Sequence, residues 1–277
     1  MAGRARVDYC FWGGLVPDNF GQLEGLDEKG CAAFKSFLGP VSPDYAPLSY
    51  GQAYEAMEII EKFGGRAGFH CEDISTIQWL EKRMKEQGRL DWQAFLDSRP
   101  VAAEKIATLA VIEIARATGC KAHICHVSCP EVAEVIRQAQ REGLDITAET
   151  CAHYLCMTQE DLLQKGPLFK CAPPLRSAAQ RDGLWEYVAD GTFSGIASDH
   201  SPCTWQEKHT QILGRRIEKR IRCVGRHQRH TECVPGRLQR RLPQTGAAAG
   251  KTGAGHVRKA GPGLWPLGSQ GRPFARL

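Results

Sequence analysis

The residues with chemical potential stand at the ends of short apolar runs. Lys35 lies within Ala33-Phe34-Lys35-Ser36-Phe37, and His70 follows Ala67-Gly68-Phe69. His126 ends Ala122-His123-Ile124-Cys125, His153 comes just after Thr147–Cys151, and Asp199-His200 follow Gly195-Ile196-Ala197-Ser198. Each has an ordinary explanation by itself. A lone strand histidine is more often a satisfied core residue than a ligand, a strand-end aspartate often caps the next helix, and an edge lysine can snorkel to water. Their repetition at the same end of successive runs points to a metal site, because imidazole and carboxylate together suit hard or borderline divalent ions. Lys35 is the odd member, since an ammonium amid Phe34, Phe37 and Leu38 bears a large desolvation cost. A lysine with a lowered pKa can react with CO₂, and the resulting carbamate is an anion able to bridge two metal ions.

A second grouping is disfavoured. Cys120, His123, Cys125, His126 and Cys129 are spaced like a zinc knuckle. Their run reads as a strand, and alternation sends its side chains to opposite faces. The chain has 12 cysteines but no C-x-x-C, and it is too long for a small disulfide-stapled fold. Reduced thiols in a cytoplasmic protein are expected.

The elements that position these residues alternate. Apolar runs predict strands at Val7–Trp12, Cys31–Leu38, Arg66–His70, Lys121–Val127, Leu144–Thr150 and Gly195–Ser198. Ser49-Tyr50-Gly51-Gln52 is a capping box that opens a helix to Phe63, closed by Gly64-Gly65. Ser128-Cys129-Pro130-Glu131 opens another, to Glu142, with Gly143 as its stop. Ser177-Ala178-Ala179-Gln180 opens one ending near Asp190-Gly191, and a longer helix from about Pro100 to Thr118 follows Ser98 and stops at Gly119. Strand, helix, strand in this rhythm means parallel βαβ units. Sites in such folds are built at the C-terminal edge of the strands, where the singled-out residues lie.

Composition divides the chain. It has 277 residues, 42% of them hydrophobic, and no apolar run of the roughly 20 residues that a membrane span needs. The net charge of +5 conceals a contrast, for residues 214–277 carry 15 Lys and Arg against 2 Asp and Glu, leaving residues 1–213 acidic. The same segment holds 11 of the 29 glycines. Two units are therefore expected: an α/β body over 1–213 and a basic Gly/Arg-rich tail over 214–277, disordered because it lacks the apolar content to offset ordering entropy.

Together the motifs resemble the cyclic amidohydrolases, and within them the allantoinases. They occur in order as Phe34-Lys35-Ser36-Phe37, His70-Cys71-Glu72-Asp73, Cys125-His126-Val127-Ser128-Cys129-Pro130-Glu131, Cys151-Ala152-His153-Tyr154-Leu155, Cys171-Ala172-Pro173-Pro174-Leu175-Arg176 and Ser198-Asp199-His200-Ser201-Pro202-Cys203. Phe11–Pro17 and the last of these runs favour allantoinases over dihydropyrimidinases and dihydroorotases. The resemblance, over about residues 7–213, implies a TIM-type (β/α)₈ barrel of which about six of the eight units are present. It implies two divalent metal ions, zinc by preference, bridged by carboxylated Lys35. His70 and His126 would bind the second metal. Asp199 would bind the first and act as general acid and base. Ser201 and the backbone around Cys171 would face the substrate ring. The implied reaction opens the hydantoin ring of allantoin to allantoate in a cytoplasmic homotetramer, with no membrane or nucleic-acid partner. Another cyclic amidohydrolase of hydantoinase or dihydroorotase type, or a non-catalytic fragment with a nucleic-acid-binding tail, are the alternatives.

The chain also departs from the family. The family's first metal pair is a His-x-His, and none occurs here, the first histidine being His70. By motif order Val7–Trp12 corresponds to the family's third strand, so Met1–Arg6 is expected to be a start inside a longer gene and the chain as written to be impaired. After Cys203 the family continues with F-x-A-W-G-G-I-S-G-I-Q. This chain has Ile221–Thr231 instead, and free codon choice read one base later permits the family run from Val224 onward. The same shift permits F-G-L over Leu264-Trp265-Pro266. Residues from about 214–220 onward are therefore expected to be an out-of-frame translation.

Overall fold

The computed structural model describes residues 9–40 and 45–201. The expectations for the basic tail, for the frame of residues 214–277 and for Cys203 lie outside the described residues. Within them, strands β1 (Trp12–Gly14), β2 (Ala33–Phe37), β3 (Arg66–His70), β4 (Lys121–Val127), β5 (Ile146–Cys151) and β6 (Gly195–Ala197) form one sheet. Every pairing is parallel, and the spatial order equals the chain order, β1 to β6. Doubly wound sheets reverse their order at a switch point. This one never does, so right-handed crossovers carry successive helices to the same face. That is the construction of a barrel wall.

The intervening helices are α1 (Leu23–Glu28), α2 (Tyr50–Lys62), α3 (Ile74–Glu86), α4 (Trp92–Asp97), α5 (Val101–Thr118), α6 (Pro130–Arg141), α7 (Ala152–Cys156), α8 (Gln159–Lys165) and α9 (Ala178–Ala189). Local chemistry sets their ends. The Ser49 hydroxyl accepts from the Gln52 amide at 3.2 Å, and the Gln52 side chain accepts from the Ser49 amide at 2.9 Å. Ser177 and Gln180 repeat this box at α9. Gly119 ends α5 at φ 75°, a conformation that costs glycine no steric penalty.

Alternation divides the sheet into two unlike faces. Phe34, Ala67, Phe69, Ala122, Ile124, Ile146 and Ala148 are buried on the helix side, in one apolar cluster with Ala53, Met57 and Ile60 of α2, Ala107 and Val111 of α5, and Val132 and Ile136 of α6. The opposite face carries Trp12, Lys35, Gly68, His123 and Glu149. Packing therefore occupies one side of the wall and leaves the other for chemistry.

Two local expectations are corrected. The first strand runs over Trp12–Gly14 rather than 7–12, because its ladder begins only where Trp12 meets Ala33 of β2; Phe11, one residue earlier, is 52% exposed. Ser128 does not cap α6. The N-cap is Cys129, with Pro130 opening the helix and no side-chain cap bond. Ser128 instead gives its hydroxyl and, at 2.9 Å, its amide to the buried carboxylate of Glu104, a charged acceptor that outcompetes a neutral cap. Helices α3 and α4, absent from the expectations above, start at Asp73 and Asp91, whose carboxylates accept from Thr76 and Ala94 amides at 2.7 Å each. No helix among the described residues is long and apolar enough to cross a membrane.

Candidate active site

Two histidines meet at the C-terminal edge. Nδ1 of His70, at the end of β3, lies 3.1 Å from Nε2 of His126 on β4, and each residue is 5% exposed. Strict alternation would turn His126 away from the face shared by His123 and Cys125. The β4–β5 register shifts between Ile124 and Val127, and His126 takes φ 42°. A bulge of this kind re-aims a side chain, and here it aims His126 at His70. Asp199, just past β6, is the other non-glycine residue with positive φ among the described residues, at 45°. Left-handed backbone at a non-glycine costs about 1–3 kcal/mol and collects at functional sites.

The orientation of His70 is fixed from behind. Its Nε2 lies 2.9 Å from the carboxylate of Glu72, which is 1% exposed. Burial opposes the charge on Glu72, but His70 and the guanidinium groups of Arg99 and Arg176 hold its carboxyl below the usual range. An ionised carboxylate only accepts, so His70 donates from Nε2, and in the neutral imidazole Nδ1 is then the nitrogen with the lone pair toward His126. Arg99 reaches Glu72 at 4.0 Å and Glu81 at 2.7 Å. Arg176 bonds Glu104 at 2.9 Å, the Ser128 hydroxyl at 2.9 Å and the Arg99 carbonyl at 2.6 Å. A floor of three carboxylates and two guanidinium groups thus lies beneath the edge.

Lys35 stands on β2, its register neighbours across the sheet being Gly14 of β1 and Gly68 of β3. Its Nζ is buried, finds no oxygen or nitrogen partner among the described residues, and lies 4.9 Å from the centre of the Phe37 ring. Its charge acts on Cys71, Cys125, His123 and Glu149. Burial pushes Glu149 up to about 7, against the pull of Lys35 and with the repulsion of Asp199. Burial, with Arg66 and Lys35 nearby, pushes His123 down to about 3. The Lys35 amine, with no oxygen or nitrogen partner among the described residues, and the two facing imidazoles are donors that CO₂ and divalent cations would complete, so the donor set fits the metals implied by the sequence.

Sequence reasoning did not single out Glu72 or Glu149 as site residues, and it weighed Cys125 only within the disfavoured zinc knuckle. The signal for Glu149 was present: it is an acid inside an apolar strand, in phase with Thr147 and Cys151.

No family model matches the chain. In sequence it is similar to the allantoinase of Bacillus licheniformis, 38% identical over 214 residues that make up 75% of this chain and 47% of that protein. The allantoinase of Solibacter usitatus is 40% identical over 197 residues, 71% of this chain and 43% of that one. Among solved structures, the L-hydantoinase (dihydropyrimidinase) of Arthrobacter aurescens superposes with a TM-score of 0.69 at 34% identity, over 71% of this chain and 44% of that chain. The chain belongs to the cyclic amidohydrolases. It spans about half the length of the curated relatives it matches. A D-hydantoinase from a Thermus species, with a TM-score of 0.75 at 21% identity, shares the fold. The in-order sheet of this amidohydrolase is accordingly part of a TIM-type barrel wall, and metal dependence is a property of its family.

The other predicted residues are placed as follows. Cys171 is 3% exposed, in the same apolar cluster as the helix face of the sheet. Ser201 and His200 are exposed beyond Asp199. His153 is buried in α7, its ring 4.1 Å from that of Tyr154. The five-residue zinc knuckle does not form as a unit. Cys129 lies beside Glu104 at 3.9 Å, while His123 faces Glu149 and Trp12 on the inner side. Cys10, Cys31, Cys71, Cys120, Cys125 and Cys129 are in no disulfide.

Proposed function

We propose that this chain carries the metal-binding edge of an allantoinase-type amidohydrolase, a cytoplasmic homotetrameric enzyme that opens the hydantoin ring of allantoin to allantoate. The observation that carries the reading is the meeting of His70 and His126 at 3.1 Å, with the buried amine of Lys35 on β2, the strand paired with β3, in a chain similar to allantoinases. Lys35 as its carbamate, His70, His126 and Asp199 would hold two divalent ions, zinc by preference. Bound there, the metals supply Lewis-acid polarisation of the amide carbonyl and acidify water.

The chain's own residues do the rest. Asp199, held out on left-handed backbone, takes the proton of the attacking water and returns it to the departing ring nitrogen. Glu72 keeps His70 in the tautomer whose Nδ1 is free to ligate. Ser201 and the backbone around Cys171 contact the ring.

The solved hydantoinases favour a second reading, in which the ring is another hydantoin or a dihydropyrimidine. One panel separates the two. The purified chain, loaded with zinc, cobalt or manganese, is incubated with allantoin, hydantoin, dihydrouracil and dihydroorotate. Slow allantoate release that exceeds turnover of the other rings, and that vanishes in Lys35→Ala, is expected. Preference for another ring replaces allantoin as substrate. Absence of turnover with every metal and ring leaves a non-catalytic fragment.

A further inference from the structure

One layer below the strand ends, a different set of donors converges. His123 and Cys125, two residues apart on β4, and Glu149 of β5 each present a ligand atom, all within 4.8 Å of one another. His123 is 4% exposed and Cys125 6%. His123 Nδ1 bonds the Thr147 hydroxyl at 2.8 Å. Its Nε2 has no hydrogen-bond partner among the described residues and faces Glu149 Oε2 at 3.9 Å. A buried polar atom left unsatisfied costs about 1–3 kcal/mol, so such an atom aimed at a thiol and a carboxylate calls for an occupant. Trp12 walls the site, its ring edge-on to His123 at 5.6 Å.

We propose that His123, Cys125 and Glu149 form a separate metal site of mixed nitrogen, sulfur and oxygen donors, suited to a borderline ion such as zinc or cobalt. It is distinct from the set Lys35, His70, His126 and Asp199, which contains no sulfur. The thiolate selects softer divalent ions over magnesium or calcium. The Thr147 hydroxyl acts as the outer partner that fixes a ligating histidine, leaving Nε2 as the donor. Bond lengths of about 2.0–2.3 Å put tetrahedral donors roughly 3.3–3.8 Å apart, a contraction that side-chain rotation supplies. Three protein donors leave a fourth position open, on the face that Lys35 shares. Binding breaks the Cys125 S–H bond, the sulfur bonds the metal as thiolate, and the proton leaves to solvent. The alternative is a metal-free cluster in which the Lys35 ammonium balances Glu149.

Cobalt titration of the full, chelator-stripped chain tests this. A sulfur-to-cobalt charge-transfer band in the near ultraviolet should saturate at one ion per chain. The band should disappear in Cys125→Ser, need at least tenfold more cobalt in His123→Asn, and persist in a His70→Asn, His126→Asn double variant. Absence of the band, its survival in Cys125→Ser, or its loss in the double variant overturns the proposal, whatever the fate of the other metal set. Far-ultraviolet circular dichroism checks that each variant keeps its fold. A second measurement needs no variant: zinc should slow alkylation of Cys125 in the unsubstituted protein at least tenfold, as mapped by mass spectrometry. Equal rates with and without zinc count against the site.

Discussion

Glu72 shows how much of this site rests on a residue that would touch no substrate. It fixes His70 at 2.9 Å and is itself held by Arg99 at 4.0 Å. Glu72→Gln keeps the shape but offers the ring an amide that can flip its donor toward Nε2. Zinc affinity, measured by competition with a chromogenic chelator, should fall about 10–100-fold, as for other outer partners of ligating histidines. Gly68 is a second such residue. A Cβ there would lie 2.3 Å from the Trp12 ring, so Gly68→Ala must push Trp12 off β3. Thermal unfolding should show a loss of about 1–3 kcal/mol, the usual cost of overpacking, accompanied by a shift in tryptophan emission. Lys35, His70, His126 and Asp199 stand out in the sequence as candidates because each sits at or near a strand end. Glu149 shows there only as an acid inside an apolar strand, and Glu72 does not show at all, because its importance depends on which neighbour the fold sets against it.

At the scale of elements, alternation explains most of the layout and fails at one place that matters. It puts Lys35, His123 and Glu149 on the inner face without further help. It does not put His126 there, and only the shift in β4 and the left-handed φ do. No residue type in Cys125-His126-Val127 announces that bulge, so the local rule alone misplaces the side chain. Helix ends were more readable. The Ser49 and Ser177 boxes form, whereas Ser128 is drawn off by Glu104. Asp73 shows what a cap does beyond ending a helix. It accepts from the Thr76 amide at 2.7 Å, the Thr76 hydroxyl at 2.6 Å and the Tyr50 hydroxyl at 2.7 Å. Although partial burial opposes the charge, these donors hold its carboxyl below the ordinary 3.8. A depressed folded pKa means the contribution is full above pH 3.8 and is lost as pH falls through the lower folded value. Asp73→Ala should therefore cost about 1 kcal/mol at neutral pH, and denaturant melts should show the gap to the parent protein narrowing toward pH 3.

For the whole molecule, the strand–helix rhythm was enough to give a parallel sheet, and the sheet's unreversed order gives the barrel wall. Among the described residues the outer edges of β1 and β6 have no strand beside them. The contrast between an acidic 1–213 and a basic 214–277 belongs to the same scale. Nucleotide sequencing through the codons for 205–225 is expected to show a one-base departure from a frame that reads W-G-G-I-S-G. A read that keeps the present frame replaces this with a genuine basic tail. Salt-sensitive nucleic-acid binding that disappears when 214–277 is deleted would then be its signature.

The unreversed strand order also has a kinetic meaning. Each strand pairs with the one made just before it, across a connection of one or more helices, so the wall can grow in the direction of synthesis without waiting for later segments. The candidate site has the opposite dependence: Lys35 arrives with β2 and Asp199 only after β6. Capture of metal by the set that includes Asp199 must therefore come at the end of folding, whereas His123, Cys125 and Glu149 are together once β5 pairs. A nascent chain halted before residue 195 should already protect the amides of β2 to β5 from exchange while holding no more than a fraction of the final metal affinity of the set Lys35, His70, His126 and Asp199.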